Sequence, residues 1–203
     1  MSIITTLNSQ KDKISRLGCR RYADETKQQL FHFYSIDTIS AGNGDEDGKT
    51  RRSITAQECT IKTDIIPDAI QEVLWEQPTC ANIKLVPGKL SICIGMPIMI
   101  HNNAATEMCI TKDQEAVVYG WNLHKHRGKD VLDTLFVKLV NLPAIINLNG
   151  LPQNVVPLLR TSVMTNCKLP DDTSITVSRS QVEALPNFAM TDYICCRRKD
   201  TPF

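Results

Sequence analysis

Short runs of lysine and arginine are the features of this sequence best suited to bind an anion. They lie at residues 20–21, 49–52, 125–129 and 197–199. Clustered cations attract phosphate groups by charge. Taken singly, such a run is more often a solvated face of a helix or loop. The 125–129 run offers the best site for stacking on a base, because Trp121 lies just before it.

Trp121 stands just before the segment HKHRGK, which contains Lys125, Arg127 and Lys129. An aromatic ring beside cations can stack on an unpaired base while the cations hold the backbone. The competing interpretation makes Trp121 a core residue of a small β-barrel. The sequence leaves both interpretations open.

A glycine-rich stretch, GNGDEDGKT at residues 42–50, superficially resembles a phosphate loop. The motif G-x-x-x-x-G-K-[ST] requires a glycine five positions before Gly48, and Asn43 stands there. Residues 45–47 are all acidic, and they would repel a bound phosphate. We interpret residues 40–66 as a linker.

The other candidate catalytic and metal-binding residues lack the partner residues that their chemistry would need. Cys195 and Cys196 precede three cations, which favour a thiolate, but no partner base is evident. No G-x-S-x-G or C-x-x-C motif occurs, and His124 and His126 have no ligand at zinc-binding spacing. The sequence therefore predicts no catalytic residue, no metal ligand and no cofactor held by this chain alone.

Composition is that of a globular protein. The chain has 203 residues, 42% hydrophobic and 22% charged, with a net charge of +1. These values fit one ordinary domain carrying a small insertion, and they disfavour a disordered chain. No apolar run reaches membrane-spanning length, and the first residues do not form a secretory signal. We expect a nuclear or cytoplasmic protein without a membrane partner.

The ends of the chain combine strand and helix patterns. Residues 2–7 are apolar and β-branched, and Ser9 with Asp12 predicts a helix start. Ile14 and Leu17 would form the buried stripe of this helix, and Gly18 would end it. A second helix is predicted after Pro67, with Ile70, Val73 and Leu74 on its buried face.

The remainder is predicted to be mostly β. Apolar residues alternate over residues 90–100, with a bend at Gly95 and Pro97. Further strands are predicted at residues 116–121, 131–140, 145–148 and 174–178, and residues 30–36 are predicted to be extended. Short, regularly spaced strands favour a small barrel or a curled sheet. The fold class predicted is therefore α/β, interrupted by a β insertion.

Three segments resemble the superfamily-one DNA helicases of the petite-integration-frequency type, especially the helicase regions of Helitron transposons common in fungi. Residues 2–37 resemble the start of the second motor lobe, in which a strand ending in asparagine precedes a helix. Residues 90–121 are similar to the family's G-x-x-V-M-x-x-x-N and N-G-x-x-G-x-V segments. Residues 151–159 and 185–193 resemble the return into the motor core.

The resemblance implies part of a second RecA-like lobe with a small β-barrel inserted. The implied units are the lobe start at 1–39, the linker at 40–66, a lobe helix and strand at 67–114, the barrel at 115–180 and a truncated return at 181–203. Such helicases hold ATP and magnesium mainly through the first lobe, whose motifs do not occur in these residues. ATP and magnesium would therefore bind only if a partner supplied that lobe.

Departures from the family pattern affect its conserved turns. Ala189 and Thr191 match A-x-T-x-x-x-S-Q-G-x-T, but residues 195–197 read Cys-Cys-Arg in place of Ser-Gln-Gly. Asp113 stands at the turn glycine of N-G-x-x-G, where aspartate tolerates a positive φ at some cost. We therefore expect an ATP-dependent DNA helicase fragment that does not hydrolyse ATP or unwind DNA alone.

The expected partner is single-stranded DNA, bound weakly. The alternatives are a nucleic-acid or protein binding module and a pseudogene product without a selected role. The predicted nucleic-acid-binding residues are Asn102, Asn103, Trp121, Lys125, Arg127, Lys129 and Thr191.

Overall fold

The computed structural model describes residues 3–40, 63–81, 84–101, 112–142, 144–169 and 173–191. Within these ranges the chain forms helices α1 (Asn8–Glu25) and α2 (Asp68–Glu76) and a short 3-10 helix at Thr79–Ala81. The strands are β1 (Ile3–Thr5), β2 (Phe31–Tyr34), β3 (Ile36–Ser40), β4 (Thr63–Ile65), β5 (Lys89–Ile92), β6 (Pro97–Ile100), β7 (Glu115–His126), β8 (Lys129–Leu139), β9 (Val155–Leu159), β10 (Thr161–Lys168), β11 (Ser174–Gln181), β12 (Ala184–Pro186) and β13 (Ala189–Thr191). The protein is a sheet-rich α/β structure with few helices.

Two larger sheets organise the strands. One has the order β12-β6-β7-β8-β9 and the other the order β10-β11-β3-β4, and both are antiparallel. Strands β2 and β5 form an antiparallel pair, and β1 lies parallel to β13. Both larger sheets are open among the described strands, so the barrel at residues 115–180 is not seen as a closed sheet. The strands of that range divide between the two sheets.

Helix α1 differs from its prediction in length and in buried face. The helix continues past Gly18 to Glu25. Gly18 does not end the helix, because its role is to let another side chain pack closely against α1. A Cβ at Gly18 would lie 2.4 Å from Cγ of Phe188. The predicted stripe of Ile14 and Leu17 is wrong, since Leu17 is 62% exposed. The residues that α1 buries are Lys11, Ser15, Cys19 and Ala23.

The predicted Ser9–Asp12 cap is also wrong. The residue before α1 is Leu7, which makes no side-chain capping bond. Asp12 instead accepts a hydrogen bond of 2.7 Å from the backbone N–H of Cys80. This bond ties α1 to the 3-10 helix.

Several other predictions are confirmed. Helix α2 begins directly after Pro67, and Gly95 has a φ of 78° in the bend between β5 and β6. Asp113 adopts a φ of 66°, the positive value expected at that turn.

The strand predicted at residues 145–148 is wrong, because this segment is a loop. There the N–H of Ile146 donates to the Asn154 side chain at 2.9 Å.

The apolar side chains form two clusters. The larger lies between α1, β2, β5 and the five-stranded sheet, and it includes Phe33 and Ile98. The smaller joins α2 to the four-stranded sheet through Ile66, Leu74 and Val177. Among the described residues neither helix is long and apolar enough to cross a membrane.

A buried ion pair lies at the edge of the smaller cluster. Arg179 in β11 stands directly opposite Asp37 in β3 and donates two hydrogen bonds to its carboxylate, at 3.0 and 2.9 Å. Their side chains are 1% and 0% exposed. Arg179 also donates to the carbonyl oxygens of Leu74 and Val86, and Gln71 donates to Asp37 at 3.1 Å. The pair thus fixes α2 and the segment before β5 against the four-stranded sheet.

We predict that Arg179→Met lowers the free energy of unfolding by about 3–5 kcal/mol, because it leaves the Asp37 carboxylate buried and uncompensated. Urea unfolding followed by circular dichroism measures the change. The control is Arg21→Met, which removes the exposed pair with Glu25 and should leave the midpoint unchanged. Equal midpoints for both variants would contradict this role of Arg179.

Candidate nucleic-acid interface

The predicted cationic segment forms the end of the β7–β8 hairpin. His126 pairs with Lys129, so Arg127 and Gly128 form a two-residue turn. Both have positive φ, at 49° and 74°. This is the backbone geometry that joins strands of right-handed twist most directly. The hairpin therefore presents its cations from a rigid support.

Arg127 is engaged with the protein itself. Its Nη1 donates to the carbonyl oxygen of Ile66 at 3.1 Å and to Oδ1 of Asp68 at 2.9 Å. Asp68 is the first residue of α2. The guanidinium of Arg127 therefore fixes the hairpin end to the start of that helix.

The two lysines of the hairpin differ in their surroundings. Nζ of Lys129 lies 5.0 Å from the ring centroid of Tyr34 and 5.5 Å from that of Trp75, a cation–π arrangement. Nζ of Lys125 lies 3.7 Å from Asp130, and its side chain is 74% exposed. Lys125 is therefore the predicted cation most accessible to a ligand.

Trp121 is half-buried. Its ring centroid lies 5.1 Å from that of Phe31 and 5.4 Å from that of Phe33, and it packs against the larger core cluster. This geometry matches the packing interpretation of Trp121.

The remaining predicted residues lie elsewhere. Asn102 and Asn103 are outside the described residues. Thr191 belongs to β13, where it pairs with Thr5 of β1, and is thus in a different sheet from the hairpin. Of the predicted set, the described structure brings together the four hairpin residues Trp121, Lys125, Arg127 and Lys129.

A groove that the sequence did not predict runs along α1. It has a volume of about 520 Å³ and is bounded by α1, the end of α2, the 3-10 helix, β2 and β5. Its lining includes the apolar side chains of Leu30, Trp75 and Leu90. Its walls carry five lysine or arginine side chains, His32 and two carboxylates. The cations are Lys11, Lys13, Arg16, Arg20 and Lys89.

Both carboxylates of the groove are occupied by protein groups. Asp12 binds the Cys80 N–H, and Glu76 accepts a hydrogen bond from Nζ of Lys89 at 2.8 Å. The bond from Lys89 lowers the pKa of Glu76, and the same bond raises the pKa of Lys89. Glu76 therefore stays ionised and offsets one cation, while the groove as a whole remains positive.

His32 lines the groove beside these cations. Its Nδ1 lies 2.8 Å from Oγ of Ser91. Burial lowers the pKa of His32, and the charges of Lys89 and Arg20 lower it further, against an opposing effect of Glu76. The imidazole is therefore neutral at pH 7 and can share a proton with a hydroxyl.

Neither thiol that lines the groove, Cys19 or Cys80, is activated. Burial and then the neighbouring Asp12 raise the pKa of Cys80. Burial raises the pKa of Cys19 to about 12, and the neighbouring Cys93 contributes to this increase. A neutral buried thiol is a poor nucleophile. Among the described residues, no three histidine, cysteine or acidic side chains converge as metal ligands. The groove is thus equipped to bind anions.

Comparisons with known proteins identify the fold. No family model matches the sequence, and no curated protein matches it. The structure is similar to a Pif1 helicase from Candida albicans, with a TM-score of 0.51 and 14% identity over 95% of this chain and 36% of that chain. Two structures from Bacteroides give lower TM-scores. Unliganded Pif1 has a TM-score of 0.45 and 11% identity, over 95% of this chain and 42% of that chain. Pif1 in complex with ADP-AlF3 and ssDNA has a TM-score of 0.46 and 12% identity, over 95% of this chain and 31% of that chain.

The likeness to the Candida albicans protein shows a shared fold. The chain spans about a third of the length of that helicase.

We predict that Trp121→Ala lowers stability by about 2–3 kcal/mol, less than a fully buried aromatic residue costs, because the ring packs against Phe31 and Phe33. Its affinity for a single-stranded oligonucleotide should stay within about twofold of wild type. Circular dichroism and a binding titration on the same sample measure both. A stable variant whose binding weakens by about 1–3 kcal/mol would instead establish that a base stacks on Trp121.

Proposed function

We propose that this chain forms much of the second motor lobe of a Pif1-like DNA helicase and contributes a binding surface for single-stranded DNA. One observation carries the proposal. The fold likeness to the Candida albicans helicase extends over 95% of the chain, so it involves the whole arrangement of helices and sheets. The sequence resemblance at residues 90–121, 151–159 and 185–193 supports the further proposal that the lobe is of the Helitron kind.

The parallel pair β1 and β13 is the proposed remnant of the motor sheet. Helix α1 follows β1 and contacts both strands. Parallel strands with a covering helix are typical of nucleotide-dependent motor lobes. Residues 115–180, which include strands β7 to β10 and most of β11, are then the proposed inserted unit, with Lys125 among its exposed cations. Asn102, Asn103 and Thr191 are proposed DNA contacts on the resemblance.

We predict that the chain binds a single-stranded oligonucleotide with strong salt dependence, because each phosphate contact releases counterions. With about three or four contacts, the affinity should fall by roughly 20- to 50-fold between about 50 and 200 mM salt. Fluorescence anisotropy measures the dissociation constant at each salt concentration. Absence of binding at the lowest salt concentration would overturn the proposed DNA surface.

We predict no ATP hydrolysis above background for the chain alone, with or without single-stranded DNA. Hydrolysis requires a phosphate loop and a magnesium-binding acid as preorganised charge, and the G-x-x-x-x-G-K-[ST] pattern does not occur in these 203 residues. A phosphate-release assay measures turnover. DNA-stimulated hydrolysis that disappears in Lys49→Ala would contradict this prediction.

A further inference from the structure

We propose that the groove along α1 binds the phosphate backbone of the single strand, with Lys11, Lys13, Arg16 and Arg20 as its main contacts. This inference rests on the proposed function and assigns it a site that the sequence did not predict.

The first support is the placement of three cations on one face of α1. Lys13, Arg16 and Arg20 stand at helical positions i, i+3 and i+7, which share a face. All three are exposed and line the groove. Seven residues of helix correspond to about 10 Å, so the stripe can face more than one phosphate group of an extended strand.

The second support is that these cations make no hydrogen bond or ion pair in the part of the chain that the structure describes. None of the three forms an ion pair there. On the hairpin, by contrast, Arg127 binds Asp68 and Lys129 lies over Tyr34 and Trp75. The α1 cations can therefore bind a ligand without breaking an internal contact.

The third support is Lys11, which adds a fourth cation of α1 to the groove. Most of its side chain is buried, since the residue is 5% exposed, and it lines the groove. Its ammonium makes no hydrogen bond or ion pair with the described residues. A phosphate oxygen in the groove can therefore pair with this ammonium without displacing an internal partner.

The groove also suits the uncharged parts of a nucleotide. Its lining includes the apolar side chains of Leu30, Trp75 and Leu90, while Ser91 and His32 offer neutral hydrogen-bonding groups. A free phosphate would use the cations alone. Apolar and cationic side chains in one groove suit a nucleotide strand, which presents sugars and bases together with its phosphates.

The decisive variant is the double substitution Arg16→Gln/Arg20→Gln, with Arg21→Gln/Lys27→Gln as its control. The control removes the same charge from residues of α1 and its C-terminal turn that do not line the groove. The four side chains are exposed, so both variants should keep the wild-type circular dichroism spectrum and thermal midpoint.

We expect the groove variant to lose about tenfold in affinity for a single-stranded oligonucleotide at low salt and the control to lose less than about threefold. Because each single-strand contact contributes about 0.7 to the salt slope, the groove variant should lower that slope by about 1.4. In wild type, strand binding should also raise the pKa of His32, followed by NMR, because an anion beside it stabilises the imidazolium.

Two results would overturn the assignment in distinguishable ways. If wild type binds and both variants bind equally well, the groove is not the site, and the DNA-binding proposal stands. If wild type itself does not bind at low salt, the proposed function fails and the groove assignment fails with it.

Discussion

The buried pair of Arg179 and Asp37 is the interaction on which the arrangement of this protein depends. Burying two charges is costly unless each keeps its hydrogen bonds, and here they do so only if β3, β11, α2 and the segment before β5 meet at one place. Helix α2 supplies Trp75 and Glu76 to the groove, and β5 supplies Lys89. The ion pair therefore sets the position of these lining residues relative to α1.

The distribution of cations separates structural from binding roles. Arg127 and Lys129 hold the hairpin to α2 and to the aromatic pair of Tyr34 and Trp75. Lys13, Arg16 and Arg20 on α1 make no hydrogen bond or ion pair with the described residues. A cation that already binds the protein must lose that contact before it can bind a ligand, so the α1 side of the molecule offers the lower cost of binding DNA.

Local patterns predicted some elements well and failed where distant contacts decide. The apolar spacing after Pro67 predicts α2, and alternation across residues 90–100 predicts β5 and β6 with the bend at Gly95. The sequence predicts a helix stop at Gly18, but this glycine packs against Phe188, a contact 170 residues along the chain that no local pattern shows. A helix that ends at Gly18 does not include Arg20. The sequence therefore does not predict that Arg20 shares a helix face with Lys13 and Arg16, and it does not predict the groove. Nothing local marks Arg179 as buried, because its partner stands 142 residues away.

Photo-crosslinking of the wild-type chain to a single-stranded oligonucleotide that carries photoreactive bases tests the central claim most directly. Mass spectrometry then identifies the peptides attached to DNA. The account predicts adducts on peptides from α1 (Asn8–Glu25) and β5 (Lys89–Ile92) that disappear when unlabelled strand is added in excess. If the adducts that unlabelled strand removes lie only on the β7–β8 hairpin and none lies on α1, the groove along α1 is not the DNA-binding site.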